Sequence, residues 1–238
     1  MTQLAHQTVL VTGANRGMGR SYVTQLLERG VAKVYAAARD AHAVDTSDAR
    51  VVPLQLDVSD PESVARAVAA ATDVSVLINN AGIARGASVL EPGSIALREE
   101  LETNLIGPLA LASAFADRIA ERSGAIVNVA SVLSWIAVGG TYGVSKAALW
   151  SATDSLRIEL APRGVQVVGV YVGYVDTDMT AGVEAPKSEP ADVVRQVLDG
   201  IEGGASEVLA DDFSRFVRSN LNESFEVQFE RVSALVGG

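Results

Sequence analysis

Thr8-Val-Leu-Val-Thr12-Gly13-Ala-Asn-Arg-Gly17-Met-Gly19 is the stretch on which the fold turns. Its first five residues suit a strand buried on both faces, as in the middle of a parallel sheet. Three glycines then let the backbone turn tightly and bring N–H groups close to an anion. Behind them Tyr22, Val23, Leu26 and Leu27 recur at helical spacing, so a helix starts at the turn and points its positive dipole end at the same place. Strand, glycine turn and helix in that order predict a dinucleotide-binding unit, with Gly13, Asn15, Arg16, Gly17, Met18 and Gly19 as its phosphate cradle.

The alternation continues outward. Lys33–Ala38 reads as the second strand and ends at Arg39. An acidic residue at this point accepts from the ribose 2′-hydroxyl of NAD, whereas Arg suits the 2′-phosphate of NADP. Arg39, with Arg16 in support, therefore predicts NADP; Asp40 is a turn residue or a partner for Arg39. Residues 40–50 are too short and polar for more than one helical turn. Val51–Leu56 is the third strand, and Asp60-Pro61-Glu62 opens a helix, with Asp60 or Ser59 as cap and Pro61 in the first turn. Val74–Ile78 is the fourth, stopping at Asn79-Asn80-Ala81-Gly82, a turn that offers backbone polar groups to a ligand.

A helical stretch from Ser94 to about Arg122 encloses Asn104, unfavourable inside a helix unless partnered, and then Gly107-Pro108. Ala125–Val129 is the fifth strand and ends at Ala130-Ser131. Val165–Val170 and Glu207–Ala210 are the last two, with a helix over Ala191–Ile201 between them. Residues 180–190 read as a mobile substrate flap. Residues 213–238 form a C-terminal extension in which Phe225-Glu-Val227-Gln-Phe229 fits a strand or a helix. The pattern predicts an α/β chain, 1–238, folded as a single doubly wound Rossmann-type domain. About seven parallel strands carry helices on both faces, with ligands at the strands' carboxyl ends.

Composition closes off other chemistries. There is no cysteine, so thiolate metal sites are impossible, and with only His6 and His42 a histidine-based metal centre is not expected. The 19 basic and 29 acidic residues leave a net charge of −10, which argues against general nucleic-acid binding. A polar N-terminus and the lack of an apolar run of ~18–20 residues give the expectation of a cytoplasmic protein with no membrane segment.

Tyr142-Gly-Val-Ser-Lys146 heads the helix predicted over Tyr142–Leu160. Residues four apart share a helix face, which sets a phenol beside an ammonium. A cation ~4 Å from a phenol, in an effective dielectric of ~20, is worth about 4 kcal/mol, or roughly 3 pK units, enough to bring a tyrosine near ~10 toward neutrality. The pair suits a proton donor and its tuner; because Tyr-x-x-x-Lys is common, the motif alone is more often an exposed lysine and a half-buried tyrosine sharing a face by chance.

Thr12-Gly13 to Gly19, Asn79-Asn80-Ala81-Gly82, Ser131 and Tyr142-x-x-x-Lys146, in this order, resemble the short-chain dehydrogenase/reductase family over roughly residues 5–212. The resemblance implies that Tyr142 is the general acid in reduction and the base in oxidation. Lys146 would lower its pKa and hold the nicotinamide ribose. Ser131 would bond the substrate oxygen, and Asn104 would hold a water linking Lys146 to solvent. It also implies that Asp57 and Val58 meet the adenine and that Asn80, Ala81 and Gly82 form the cofactor floor. Gly173, Val175 and Thr177 would lie under the nicotinamide. Two features depart from the family: the loop between Ser131 and Tyr142 is shorter than in many members, with Ser134 as a rival serine, and Val172 precedes Gly173 where proline is usual.

Trp135, Ile136, Val138, Tyr174, Val175, Met179 and Val183 are candidate pocket residues, mostly apolar, and favour a neutral aldehyde, ketone or secondary alcohol. In relatives the helix of Tyr142 and that of Asn104 pair with their copies. Ala147, Ala148, Leu149, Trp150 and Ala152 give this chain the apolar surface for a homodimer or homotetramer. The expected activity is NADP-dependent carbonyl reduction or alcohol oxidation. The alternatives are a non-catalytic dinucleotide sensor and a same-fold lyase such as a halohydrin dehalogenase.

Overall fold

β1 (Thr8–Thr12) is buried along its whole length and lies between two parallel partners, β2 (Lys33–Ala38) and β4 (Val76–Asn79). The structure, a computed structural model, describes residues 2–91 and 93–236. Beyond β2 lies β3 (Val51–Gln55). Beyond β4 come β5 (Ala125–Val129), β6 (Gln166–Tyr171) and β7 (Glu207–Leu209), so the order is β3-β2-β1-β4-β5-β6-β7, parallel throughout. This is the predicted single doubly wound domain. The winding direction reverses between β1 and β4, and that switch point opens a crevice at the strands' carboxyl ends.

Parallel pairing forces each connection across a face of the sheet, and alternation along the strands fills both faces. Val9 and Val11 face Tyr22 and Leu26 of α1 (Gly17–Glu28) and Val193 and Val197 of α6 (Pro190–Gly203). Leu10, Leu77 and Ile126 face Val64 of α2 (Pro61–Ala70) and Leu111 and Phe115 of a later helix. Asp60 caps α2 by accepting from the Glu62 N–H, with Pro61 in the first turn. Residues Ala41–Ala43 make the single turn expected between β2 and β3.

The expected helix from Ser94 to Arg122 is not continuous. α3 (Ile95–Leu101) passes into a π-turn, Glu102–Ile106, before α4 (Gly107–Ala120), and the Gly107 N–H reaches back five residues to Glu102 O. Pro108 supplies the reason: its ring clashes with the carbonyl four residues earlier, and it has no N–H to donate. α5 (Gly140–Leu160) begins slightly before Tyr142. The tail is helical, α7 (Asp212–Ser219) and α8 (Phe225–Val236), which decides between strand and helix. Phe225 and Phe229 stack with centroids 5.9 Å apart, a contact of residues one turn apart.

Segment 180–190 is tied down near its end, where Asp176 N–H donates to Ser188 O and Ser188 N–H to Tyr174 O. Among the described residues no helix is long and apolar enough to cross a membrane.

Candidate active site

The carboxyl ends of β1 and β4 are stitched together. Thr12 Oγ1 accepts from the N–H groups of Asn80 and Ala81 (3.0 and 2.9 Å), and Asn80 Nδ2 donates to Thr12 O (2.9 Å). The glycine turn lies over this joint. A Cβ on Gly19 would sit 1.9 Å from Gly13 O, so only glycine lets α1 start so close to the turn. A cleft of ≈ 800 Å³ runs along it, in the range of small-molecule and cofactor sites. Gly13, Asn15, Arg16, Gly17, Met18 and Gly19 line one wall, and Asp57, Val58, Asn80, Ala81 and Gly82 line the floor. Arg39 stands exposed at one end beside the buried Ala38, and Thr177 and Met179 lie across from the turn. The Ser59 hydroxyl holds the Asp57 carboxyl below the usual carboxylate range.

These residues fit a dinucleotide: a tight glycine turn at a helix N-terminus, a polar floor, and an arginine beside a neutral small residue where a 2′-phosphate would lie. Arg16 departs from expectation. Its guanidinium donates across the cleft to Asp178 (2.7 Å), so it ties the glycine turn to the segment after β6 rather than joining Arg39.

Farther along, Gly82 joins the cleft to the reactive side chains. A Cβ there would lie 3.3 Å from Asn104 Oδ1 and 3.6 Å from Lys146 Nζ. Lys146 is buried, donates to Val129 O (2.8 Å), and stands 5.7 Å from the centre of the Tyr142 ring. Ser131, at the end of β5, accepts from the Leu133 N–H (3.1 Å) and donates to Val172 O (3.4 Å), with its hydroxyl close enough to Tyr142 to pull the phenol's pKa down. Ser134 faces elsewhere, donating to Lys146 O (3.0 Å), so geometry puts Ser131 and not its rival beside the tyrosine.

Asn104 is completely buried. Its amide donates to Ile83 O and Ser145 Oγ and its carbonyl accepts from Ile83 N–H, each at 2.9 Å. The side chain is thus taken up by protein partners, and the π-turn aims it inward.

The proton affinities correct the expectation from spacing. Burial pushes Tyr142 up to about 12, against the pull of the Ser131 hydrogen bond and with a further push from Glu100. Burial takes Lys146 down to about 8. Helical spacing places the pair, but desolvation, not attraction between them, is the largest cause of both shifts, with Lys146 buried and Tyr142 half-buried.

Several pocket expectations are also revised. Trp135 is 9% exposed, stacks on Tyr171 (centroids 4.2 Å apart), meets Trp150 edge-on and lies under the Arg218 guanidinium of α7, so the extension seals it into a third apolar cluster. Ile136 belongs to the same cluster, and Val175 packs in the core beneath the sheet's end. Gly173 N–H is held by Asp211 (2.6 Å), away from the cleft wall, and the half-buried Tyr174 serves through its backbone bond to Ser188. Met179 lines the cleft and is exposed, as is Val138 near the head of α5. Sequence reading missed Asp178, Asp211 and the buried Glu100. Only Glu100 carried a signal, sharing a helix face with Leu97 before it and Asn104 one turn after it.

A model of the short chain dehydrogenase family matches residues 7–188. The chain is 34% identical over 209 residues to the 3-oxoacyl-(acyl-carrier-protein) reductase FabG of Escherichia coli strain K12, covering 84% of this chain and 85% of that one. It is 33% identical over 232 residues to the ketoacyl reductase HetN of a Nostoc species, covering 89% and 80%. A solved short chain dehydrogenase from Burkholderia cenocepacia in complex with NADP superposes with a TM-score of 0.91 at 38% identity, covering 97% of this chain and 99% of that one. One from Sphingobium yanoikuyae in complex with NADPH gives 0.79 at 26% identity, covering 95% of each. With its glycine turn, Asn-Asn-Ala-Gly turn, Ser131 and Tyr142/Lys146 pair gathered at one end of a seven-stranded parallel sheet, the chain is an oxidoreductase of the short-chain dehydrogenase/reductase family.

Proposed function

We propose that the protein uses NADP(H) to interconvert a neutral, mainly apolar carbonyl compound and its secondary alcohol, with Tyr142 as general acid and base. The observation that carries this is the buried Lys146 ammonium, one helical turn from Tyr142 and 5.7 Å from its ring centre, with Ser131 at the end of β5 and a cleft that ends at Ala38-Arg39. The NADP and NADPH complexes of similar proteins support the cofactor. The cofactor, when present, supplies or takes the hydride.

The chain's own groups handle the proton. Tyr142, still protonated at neutral pH because its pKa lies near 12, donates to the substrate oxygen as charge develops there. Ser131 lies on the same side and shares that charge by hydrogen bonding. Lys146 has donors beyond the one given to Val129 O and can hold ribose hydroxyls. Exposed Met179 and Val138 near the site support an apolar substrate.

Stopped-flow and steady-state rates over a panel of carbonyls with NADPH, and of alcohols with NADP, test the reading. Tyr142→Phe is expected to lower turnover by about two orders of magnitude or more with NADPH binding unchanged. A variant that keeps half its activity refutes the role of Tyr142, and tight NADPH binding without turnover of any carbonyl or alcohol favours a sensor.

A further inference from the structure

Ser134, which spacing offers as a rival to Ser131, is buried and takes no part in the proton transfer derived above. Its two polar groups nevertheless reach both of the residues it stands between. The Ser134 N–H donates to Ser131 O (3.0 Å), and its hydroxyl donates to Lys146 O (3.0 Å). The Lys146 ammonium in turn donates to Val129 O (2.8 Å). One continuous stretch, residues 129–134, therefore holds Lys146 at both ends, by its side-chain tip and by its main chain.

The hydroxyl bond is one that α5 does not need. A helical carbonyl already accepts from the N–H four residues on, and Lys146 O lies well inside the helix. Nor is the bond local. Ser145 Oγ donates to Tyr142 O (2.8 Å) within α5 itself, whereas Ser134 reaches across from the turn Val132–Ser134 that follows β5. That turn is fixed to the sheet, because Val132 N–H donates to Val172 O (3.0 Å) just past β6. It also lies tight against α5: a Cβ on Gly143 would come 3.3 Å from Leu133 O, and Gly143 and Lys146 share a helix face. Toward its head the buried side of α5 is Thr141, Gly143, Ser145 and Lys146, with Leu149 only farther on. Apolar packing is non-directional and there is little of it here, so directional bonds set how far along and around its axis the helix sits.

We propose that Ser134 is a positioning residue that clamps Lys146 to the end of β5 and so fixes the lysine relative to Ser131. The two serines divide the work: Ser131 turns its hydroxyl to the site, and Ser134 turns its own to the backbone that carries Lys146.

This role rests on Lys146 and Ser131 serving the reaction proposed above, so activity and backbone exchange are read separately. Ser134→Ala removes the hydroxyl and leaves Lys146 O its helical partner, so no buried group is orphaned. In the holoenzyme it is expected to lower kcat for carbonyl reduction about ten-fold, since small misplacements of reacting groups are costly. The thermal midpoint is expected to move by no more than about 2–4 °C, the cost of one neutral hydrogen bond. NADPH affinity is expected to fall about three-fold through Lys146. In a Lys146→Met background, adding Ser134→Ala is expected to leave that affinity where Lys146→Met alone puts it, because the clamp then has nothing to place. Hydrogen–deuterium exchange of residues 143–150 is expected to quicken in Ser134→Ala, whatever the reaction. An unchanged kcat, with or without a lowered midpoint, overturns the proposal, as does an equal loss of NADPH affinity in both backgrounds. Fully active Tyr142→Phe and Lys146→Met variants overturn the reaction assignment instead, and unchanged exchange in Ser134→Ala then still overturns the clamp.

Discussion

Lys146 sits in the fold with its ammonium desolvated, its pKa taken from 10.5 to about 8. Below about pH 8 both folded and unfolded chains carry the charge, and the folded one bears the cost of burying it. From about pH 8 to 10.5 the unfolded chain binds more protons, so this contribution makes stability rise with pH. The gap in pKa corresponds to about 3 kcal/mol, less ~1 for the bond to Val129 O. Lys146→Met is therefore expected to be inactive yet more stable than wild type near neutrality. That advantage shrinks as pH rises toward ~10, below which unfolded tyrosine does not yet ionise. Urea unfolding at two pH values measures it, and an advantage independent of pH would contradict it. At the other end of the cleft, Asp178 engages Arg16, so we expect the 2′-phosphate preference to rest on Arg39. Arg39→Leu is expected to weaken NADP(H) about ten-fold or more while leaving NAD(H) nearly unchanged, read as the ratio of catalytic efficiencies.

At the scale of elements, the π-turn between α3 and α4 gives Asn104 its inward direction. Pro108 forces that turn, and its carbonyl also receives Asn79 Nδ2 (3.4 Å). Restoring an N–H with Pro108→Ala lets an α-helix continue and rotates Asn104 away from Ile83 and Ser145. The expected result is a kcat lowered about ten-fold with the thermal midpoint unchanged or raised, because a helix-interior proline costs about 3 kcal/mol. An unaltered kcat would mean that the π-turn has another cause or that Asn104 does not matter.

For the whole molecule, the apolar surface that sequence assigned to α5 is redistributed. Leu149 is buried in the chain's own core and Trp150 packs on Trp135. What faces outward is Val144 (45% exposed) and Ile158 (76%), about four turns apart on one face, with Ile106 (48%) on the π-turn. We expect this face to pair with a second copy, giving a homodimer or a tetramer of dimers. Sedimentation at micromolar concentration checks it: wild type dimeric or larger, Ile158→Glu shifted toward monomer. A stable, active wild-type monomer rules it out.

The strand–glycine-turn–helix at the start, the alternation behind it and the terminal Asn-Asn-Ala-Gly and Tyr142/Lys146 motifs were legible in the sequence, because they are local. A period of two or of 3.6, a glycine where a Cβ would strike Gly13 O, and a four-residue helical spacing depend on near neighbours in the chain. What only the tertiary structure decided depends on groups distant in sequence. Trp135 could not be read as core until α7 laid Arg218 over it, and Arg16 could not be read as a partner of Asp178, 162 residues away. The direction of the Tyr142 shift was likewise beyond spacing. A pKa is set largely by how much water the folded chain removes from around a group, and that follows from packing, which buries Lys146 and half-buries Tyr142 beside it.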